Sequence, residues 1–245
     1  MCSNQFKLNA DKTQLLTVGT KQRLNTLENT LDVTMDWIQL EESQEISELL
    51  LGCQLETSLK WHVQIEELVK KLKKRLVGLQ KLKFILPYET RKTLTHGIFN
   101  SVLVYCLPLY GGCNVAHIKS IQVLQNRAAQ VVTHFPPRTR REDLYNKVKW
   151  LTVNQLVAYH TLLTVFKIRK TGEPEYLAQF LKYDNRQDRI IIPNTQLGLA
   201  KKSFVWRGSA TWNSLSQDLR KCNKIGQFKR GAKQWVIANI PRFLD

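Results

Sequence analysis

Ile65-Glu66-Glu67-Leu68-Val69-Lys70-Lys71-Leu72-Lys73-Lys74-Arg75-Leu76-Val77-Gly78-Leu79-Gln80-Lys81-Leu82 is the stretch on which the fold turns. Ile65, Leu68, Leu72, Leu76, Leu79 and Leu82 recur at steps of three and four. That period draws one apolar stripe along an α-helix, and Pro87 is expected to end it. Between the leucines stand Lys70, Lys71, Lys73, Lys74, Arg75 and Lys81. At about 3.6 residues per turn, Lys70, Lys74 and Lys81 share one side, with Lys71 and Arg75 beside them and the leucines largely opposite. Such a helix packs its stripe on a core and can run its cations along a phosphate backbone. A plain solvated face is the competing reading of the same charges.

Helical periodicity continues downstream. Residues 89–104 form a second helix closed by Pro108 and Gly111-Gly112. Asn114 can cap a third, with Ile118, Ile121, Leu124, Ala128, Val131 and Val132 on one side, stopped by Pro136-Pro137. Shorter helices are expected over 143–148, 153–169 and 174–181, a polar loop over 182–193, and closing helices over 201–213 and 224–239. Upstream the pattern differs. Residues 5–9, 14–18, 33–39 and 46–55 are strand candidates with imperfect alternation, and 21–31 fits a short helix. The fold expected is mainly α-helical with a small N-terminal β portion, organised as residues 1–59, 60–135 and 136–245.

Charge narrows the function. The 245 residues hold 37 Lys+Arg against 20 Asp+Glu, a net charge of +17, and 43% are hydrophobic, enough for a real core. So large a cationic excess repels itself unless a polyanion offsets it, and nucleic acid is the usual one. Five cysteines without Cys-x-x-Cys spacing argue against a disulfide scaffold and a zinc ribbon, and fit a reducing compartment, nucleus or cytosol. The most apolar run, residues 98–110, is too short to span a bilayer, so no membrane partner is expected.

Enzymatic signatures are missing. The eleven glycines build no phosphate loop, and His62, His96, His117, His134 and His160 have no ligand-type spacing. Asp11, Asp32 and Asp36 are too scattered for a two-metal site. Further basic clusters lie at Arg138, Arg140 and Arg141, and from Lys201 to Arg230, where Trp206, Trp212 and Trp235 are interleaved. Those tryptophans read as helix anchors in the core before they read as base-stacking platforms.

A family resemblance joins these pieces. Leu8-Asn9 with Lys12-Thr13 resembles the palm segment called motif D of LINE-type (non-LTR) retrotransposon reverse transcriptases. Leu50-Leu51-Gly52-Cys53-Gln54-Leu55, then Ser58-Leu59-Lys60-Trp61 and Val63-Gln64-Ile65, resembles the segment running from the primer grip into the thumb. Tyr105-Cys106-Leu107-Pro108-Leu109-Tyr110-Gly111-Gly112 and Leu124-Gln125-Asn126-Arg127-Ala128-Ala129 are similar to thumb and post-thumb helices of jockey-like elements. So are Trp150-Leu151, Gly172-Glu173-Pro174-Glu175-Tyr176-Leu177 and the segment from Trp206 to Leu215. Their order spans nearly the whole chain.

The resemblance implies a truncated RNA-directed DNA polymerase, the simplest origin being a fragmentary reading frame. Lys12 would stand near an incoming triphosphate, Leu51 and Gly52 at the primer-grip turn, and Lys70, Lys71, Lys74, Arg75 and Lys81 along the template–primer duplex. RNA, DNA or their hybrid would be bound with little sequence preference, and the missing palm and fingers would be a further partner. No Tyr-x-Asp-Asp segment occurs. The chain alone is therefore expected to be inactive and without a cofactor, Mg²⁺ belonging to the complete polymerase. The alternative is a basic helical module reused by a host to bind a protein partner.

Overall fold

The computed structural model describes residues 13, 15–26, 33–35, 38–40, 47–184, 186 and 188–243. The fold is mainly helical with a few short strands. It divides into two compact units, residues 1–64 and 65–245.

Among its described residues, the smaller unit holds helix α1 (Lys21–Asn25), capped by the Thr20 hydroxyl accepting from the Arg23 N–H, and two antiparallel hairpins. The expected strand 33–39 is instead a hairpin of β1 (Val33–Met35) and β2 (Ile38–Leu40), with Val33 opposite Leu40. The expected strand 46–55 likewise folds back on itself, as β3 (Ser47–Leu50) and β4 (Cys53–Glu56), with Leu50 opposite Cys53. Leu51 and Gly52, at φ 48° and 80°, form its tip. A two-residue turn with both φ positive matches the twist of the flanking strands, and glycine makes its second position inexpensive. Of the expected strand 14–18, the described residues 15–18 show a single bridge at Leu15 and no strand. Residues 5–9 lie outside the described residues.

Helix α2 (His62–Lys81) starts under the second hairpin. The buried Glu56 carboxylate accepts from the Val63 N–H at 2.6 Å, which satisfies a first-turn donor and complements the positive helix end. The helix stops at Lys81, six residues before Pro87. Turns fill the gap, and Pro87 becomes the residue that opens α3 (Tyr88–Thr95), a role its fixed φ allows. The helix expected over 89–104 is α3, a π-helical turn (His96–Asn100) and α4 (Ser101–Val104) in unbroken succession.

After α5 (Leu107–Tyr110) comes α6 (Val115–Thr133), capped by the Asn114 side chain accepting from the Ala116 N–H. Its six expected core residues are all buried. Helix α7 (Arg141–Val148) joins α6 in a core cluster of Ala129, Val132, Leu144, Tyr145 and Val148, on either side of position 135. Helix α8 (Val153–Thr171) opens with a capping box in which Thr152 and Gln155 satisfy each other's backbone donors. After α9 (Glu175–Ala178), the expected loop 182–193 contains a small hairpin, β5 (Tyr183–Asp184) and β6 (Arg189–Ile190). Helices α10 (Gly198–Lys201), α11 (Phe204–Asn213), α12 (Gln217–Arg220) and α13 (Ile225–Asn239) complete the unit. The second cluster joins Leu162, Val165 and Phe166 of α8 to Trp212, Phe228 and Val236, with Phe166 and Phe228 stacked at 4.2 Å. Trp212 is fully buried, the anchor role expected of it.

Candidate nucleic-acid interface

The two faces of α2 separate cleanly. Ile65, Leu68, Leu72, Leu76 and Leu79 are buried. Leu82, expected in the same stripe, is 37% exposed, because the helix has ended one residue earlier. Lys70, Lys71, Lys73, Lys74, Arg75 and Lys81 are all exposed. At about 100° per residue, Lys70, Lys74 and Lys81 fall within roughly 40° of one another and about 180° from the middle of the stripe. Their span is about 16 Å at 1.5 Å per residue. B-form DNA presents one phosphate charge per about 1.7 Å of axis, so several phosphates lie within reach of such a face.

The cations are not equivalent. Lys70 Nζ donates to Glu67 Oε1 at 2.6 Å, an exposed (i, i+3) ion pair. The hydrogen bond and charge of Lys70 hold the Glu67 carboxyl below its ordinary pKa, and those of Glu67 hold the Lys70 ammonium above its own. Glu67 thus partly cancels the field at the N-terminal end of the face, which strengthens from Lys71 onward. Val77, 54% exposed, interrupts the face with an apolar patch.

The other sequence-derived positions lie elsewhere. Leu51, 85% exposed, and Gly52 sit at the β3–β4 tip in the smaller unit, with exposed Leu49 and Leu50 beside them. Lys12 lies outside the described residues. Of the secondary basic clusters, Arg138, Arg140 and Arg141 are exposed. Arg207 and Arg220 are structural instead. Arg207 donates to the backbone oxygens of Lys202 (2.9 Å) and Pro108 (2.6 Å), and buried Arg220 donates to that of Asn213 (3.3 Å). Burial holds the Arg207 guanidinium below its ordinary pKa.

Arg91 was not singled out by sequence, yet it fastens the linker after α2. Its buried guanidinium donates to the carbonyl of Val132 at 3.1 and 2.9 Å, in the last turn of α6, and to those of Lys83 (3.2 Å) and Leu86. A cation at a helix C-terminus satisfies carbonyls that the helix leaves open. Position 91 gave no signal, since one arginine in a basic chain looks like any other.

Among the described residues, no three His, Cys, Asp or Glu side chains converge to hold a metal ion. No described helix is long and apolar enough to cross a membrane. Comparison with protein-family models, curated proteins and solved structures returns no match to this chain.

Proposed function

We propose that the chain is the downstream part of a LINE-type, jockey-like reverse transcriptase, which holds template–primer duplex through α2 and does not polymerise on its own. The observation that carries the reading is the two-sided α2, a buried leucine stripe backing an exposed row of cations. Contacts from such a row go to phosphate and sugar, so binding is insensitive to sequence. The exposed Leu49–Leu51 run supports the same reading, since a segment parted from a palm leaves apolar surface uncovered. The sequence contains no Tyr-x-Asp-Asp segment, which supports binding without catalysis.

A second reading has its own observation. Val77, Leu82, Phe84 and Ile85 are exposed along and just beyond α2, the kind of surface a protein partner covers. Fluorescence anisotropy with labelled duplexes separates the two readings. Duplex holding predicts steeply salt-dependent binding, with an RNA–DNA hybrid bound at least as tightly as B-form DNA. A protein-binding module predicts weak attraction to any polyanion. With a primed RNA template, Mg²⁺ and nucleotides, the purified chain should extend nothing above background. Metal-dependent extension in rigorously purified protein would overturn the proposal.

A further inference from the structure

The π turn borders a cavity that the cationic face of α2 does not use. A cavity of about 490 Å³ is walled on one side by His96, Gly97, Asn100, Ser101 and Val104. They recur at steps of three and four along the π turn and α4, the spacing that keeps side chains on one face of a helix. Two of those residues, His96 and Asn100, bound the π turn, and π turns are frequent at functional sites. The opposite wall is Leu156, Tyr159 and His160 of α8, with Gln125 and Leu151 also lining the space. Gln125 is fixed there, donating to the Leu151 carbonyl at 3.0 Å and accepting from the Tyr145 hydroxyl at 2.8 Å.

Three features describe the missing occupant. Trp150 and Tyr159 give the cavity aromatic surface. Lys149 and Lys233 stand at its rim, exposed, and also line an adjoining groove of about 660 Å³ that adds Lys92, with Glu89 as its one acid. Lys149 holds φ at 57°, a left-handed conformation more costly for lysine than for glycine, and it turns the chain so that residues 149–151 all reach the cavity. Finally, Asn100 is only 7% exposed, and its side-chain oxygen accepts no hydrogen bond within the protein. A flat aromatic body, an anionic group and a hydrogen-bond donor together describe a nucleotide. The volume lies in the range of about 300–1,000 Å³ usual for small-ligand sites.

We propose that this cavity binds one nucleotide unit, its unstacked base against Trp150 and Tyr159 and its phosphate at the Lys149–Lys233 rim. The unit is either a free nucleotide or one residue of a single strand. The inference stands apart from the reading of α2, none of whose residues lines the cavity.

Gly97 supplies a clean test. A Cβ there meets nothing within 4 Å, and a helical glycine gains propensity on replacement, so Gly97→Leu should fill the cavity without unfolding the chain. Lys149→Gly removes a rim cation at a position glycine favours. Calorimetric titration of the full chain with AMP at low salt should show binding. Adenosine and ribose 5-phosphate should each bind about tenfold more weakly or worse, because each lacks one of the two recognised parts. Gly97→Leu should abolish AMP binding, Trp150→Ala should weaken it about tenfold, and Trp150→Phe should retain most of it. A short single-stranded oligoadenylate that binds more tightly than AMP, and is lost in Gly97→Leu, identifies a strand as the source. An oligomer unaffected by Gly97→Leu identifies the free nucleotide. Changing Lys70, Lys71, Lys74 and Arg75 to Gln should leave AMP binding intact. The inference is overturned if ribose 5-phosphate binds as tightly as AMP, or if folded Gly97→Leu protein binds AMP like the parent chain.

Discussion

Truncating Leu72 to alanine tests the face assignment of α2 on which the proposed interface rests. The side chain is 0% exposed in the middle of the buried stripe. Leu72→Ala removes three carbons from a fully shielded site, a transfer loss of about 2.4 kcal/mol at about 0.8 per carbon. The cavity left behind adds to that, giving a total of about 2–5 kcal/mol. Urea denaturation followed by far-ultraviolet circular dichroism reports the change well, because nearly all of the described helix lies in the 65–245 unit. The internal control is Val77→Ala on the opposite side, where a 54% exposed residue should cost less than about 0.5 kcal/mol. A Leu72→Ala loss below about 0.5 kcal/mol would refute the placement of the stripe, and the cationic face would lose its geometry with it.

Other perturbations probe independent parts. A Cβ at Gly112 would lie 2.2 Å from the Lys202 carbonyl oxygen, so Gly112→Ala should destabilise by about 1–3 kcal/mol; at Gly78 nothing lies within 4 Å, and Gly78→Ala should stabilise α2 by about 0.5–1 kcal/mol. Thermal or urea unfolding of both variants checks the pair. Glu67→Gln should tighten duplex binding and steepen its salt dependence by up to about one unit, since it frees Lys70 and removes an anion from the face; anisotropy titrations at several salt concentrations would show it. Burial, then repulsion from Lys167, holds the His160 imidazole below its ordinary pKa of 6.5. The unfolded chain then binds more protons, so this histidine's contribution to stability is complete above 6.5 and lost as pH falls through the lowered value. Urea midpoints against pH should decline less steeply on acidification in His160→Asn.

Periodic elements were legible in the sequence because one physical rule writes them. The stripe of α2 and the buried side of α6 follow from helical spacing, and the Asn114 cap from residue type. Proline misled at position 87, since it both ends helices and opens them, and Leu82 was assigned to the stripe on that account. Residues 46–55 read as one strand because the turn hides in Leu51-Gly52, where leucine gives no sign of a positive φ. Glu67, three residues before Lys70, was a visible signal for the ion pair that weakens one predicted contact. Arg207 and Arg220 look like surface charge until the backbone carbonyls they serve are in place. The cavity was beyond reach, since it joins residues 96–104, 149–160 and 233 around a π turn with no composition of its own.

The salt dependence of duplex binding by the quadruple variant Lys70→Gln, Lys71→Gln, Lys74→Gln, Arg75→Gln decides most directly whether α2 is a nucleic-acid interface. Glutamine is nearly as good a helix former as lysine, so α2 should persist, and circular dichroism checks this. Each phosphate contact on B-form DNA contributes a slope of about −0.9 to log affinity against log salt. Lys70 is engaged by Glu67, whereas Lys71, Lys74 and Arg75 stand exposed, so the slope should flatten by about three, with affinity reduced alike on all sequences. An unchanged slope and affinity in a folded quadruple variant would contradict the assignment and leave the basic face of α2 a solvated surface.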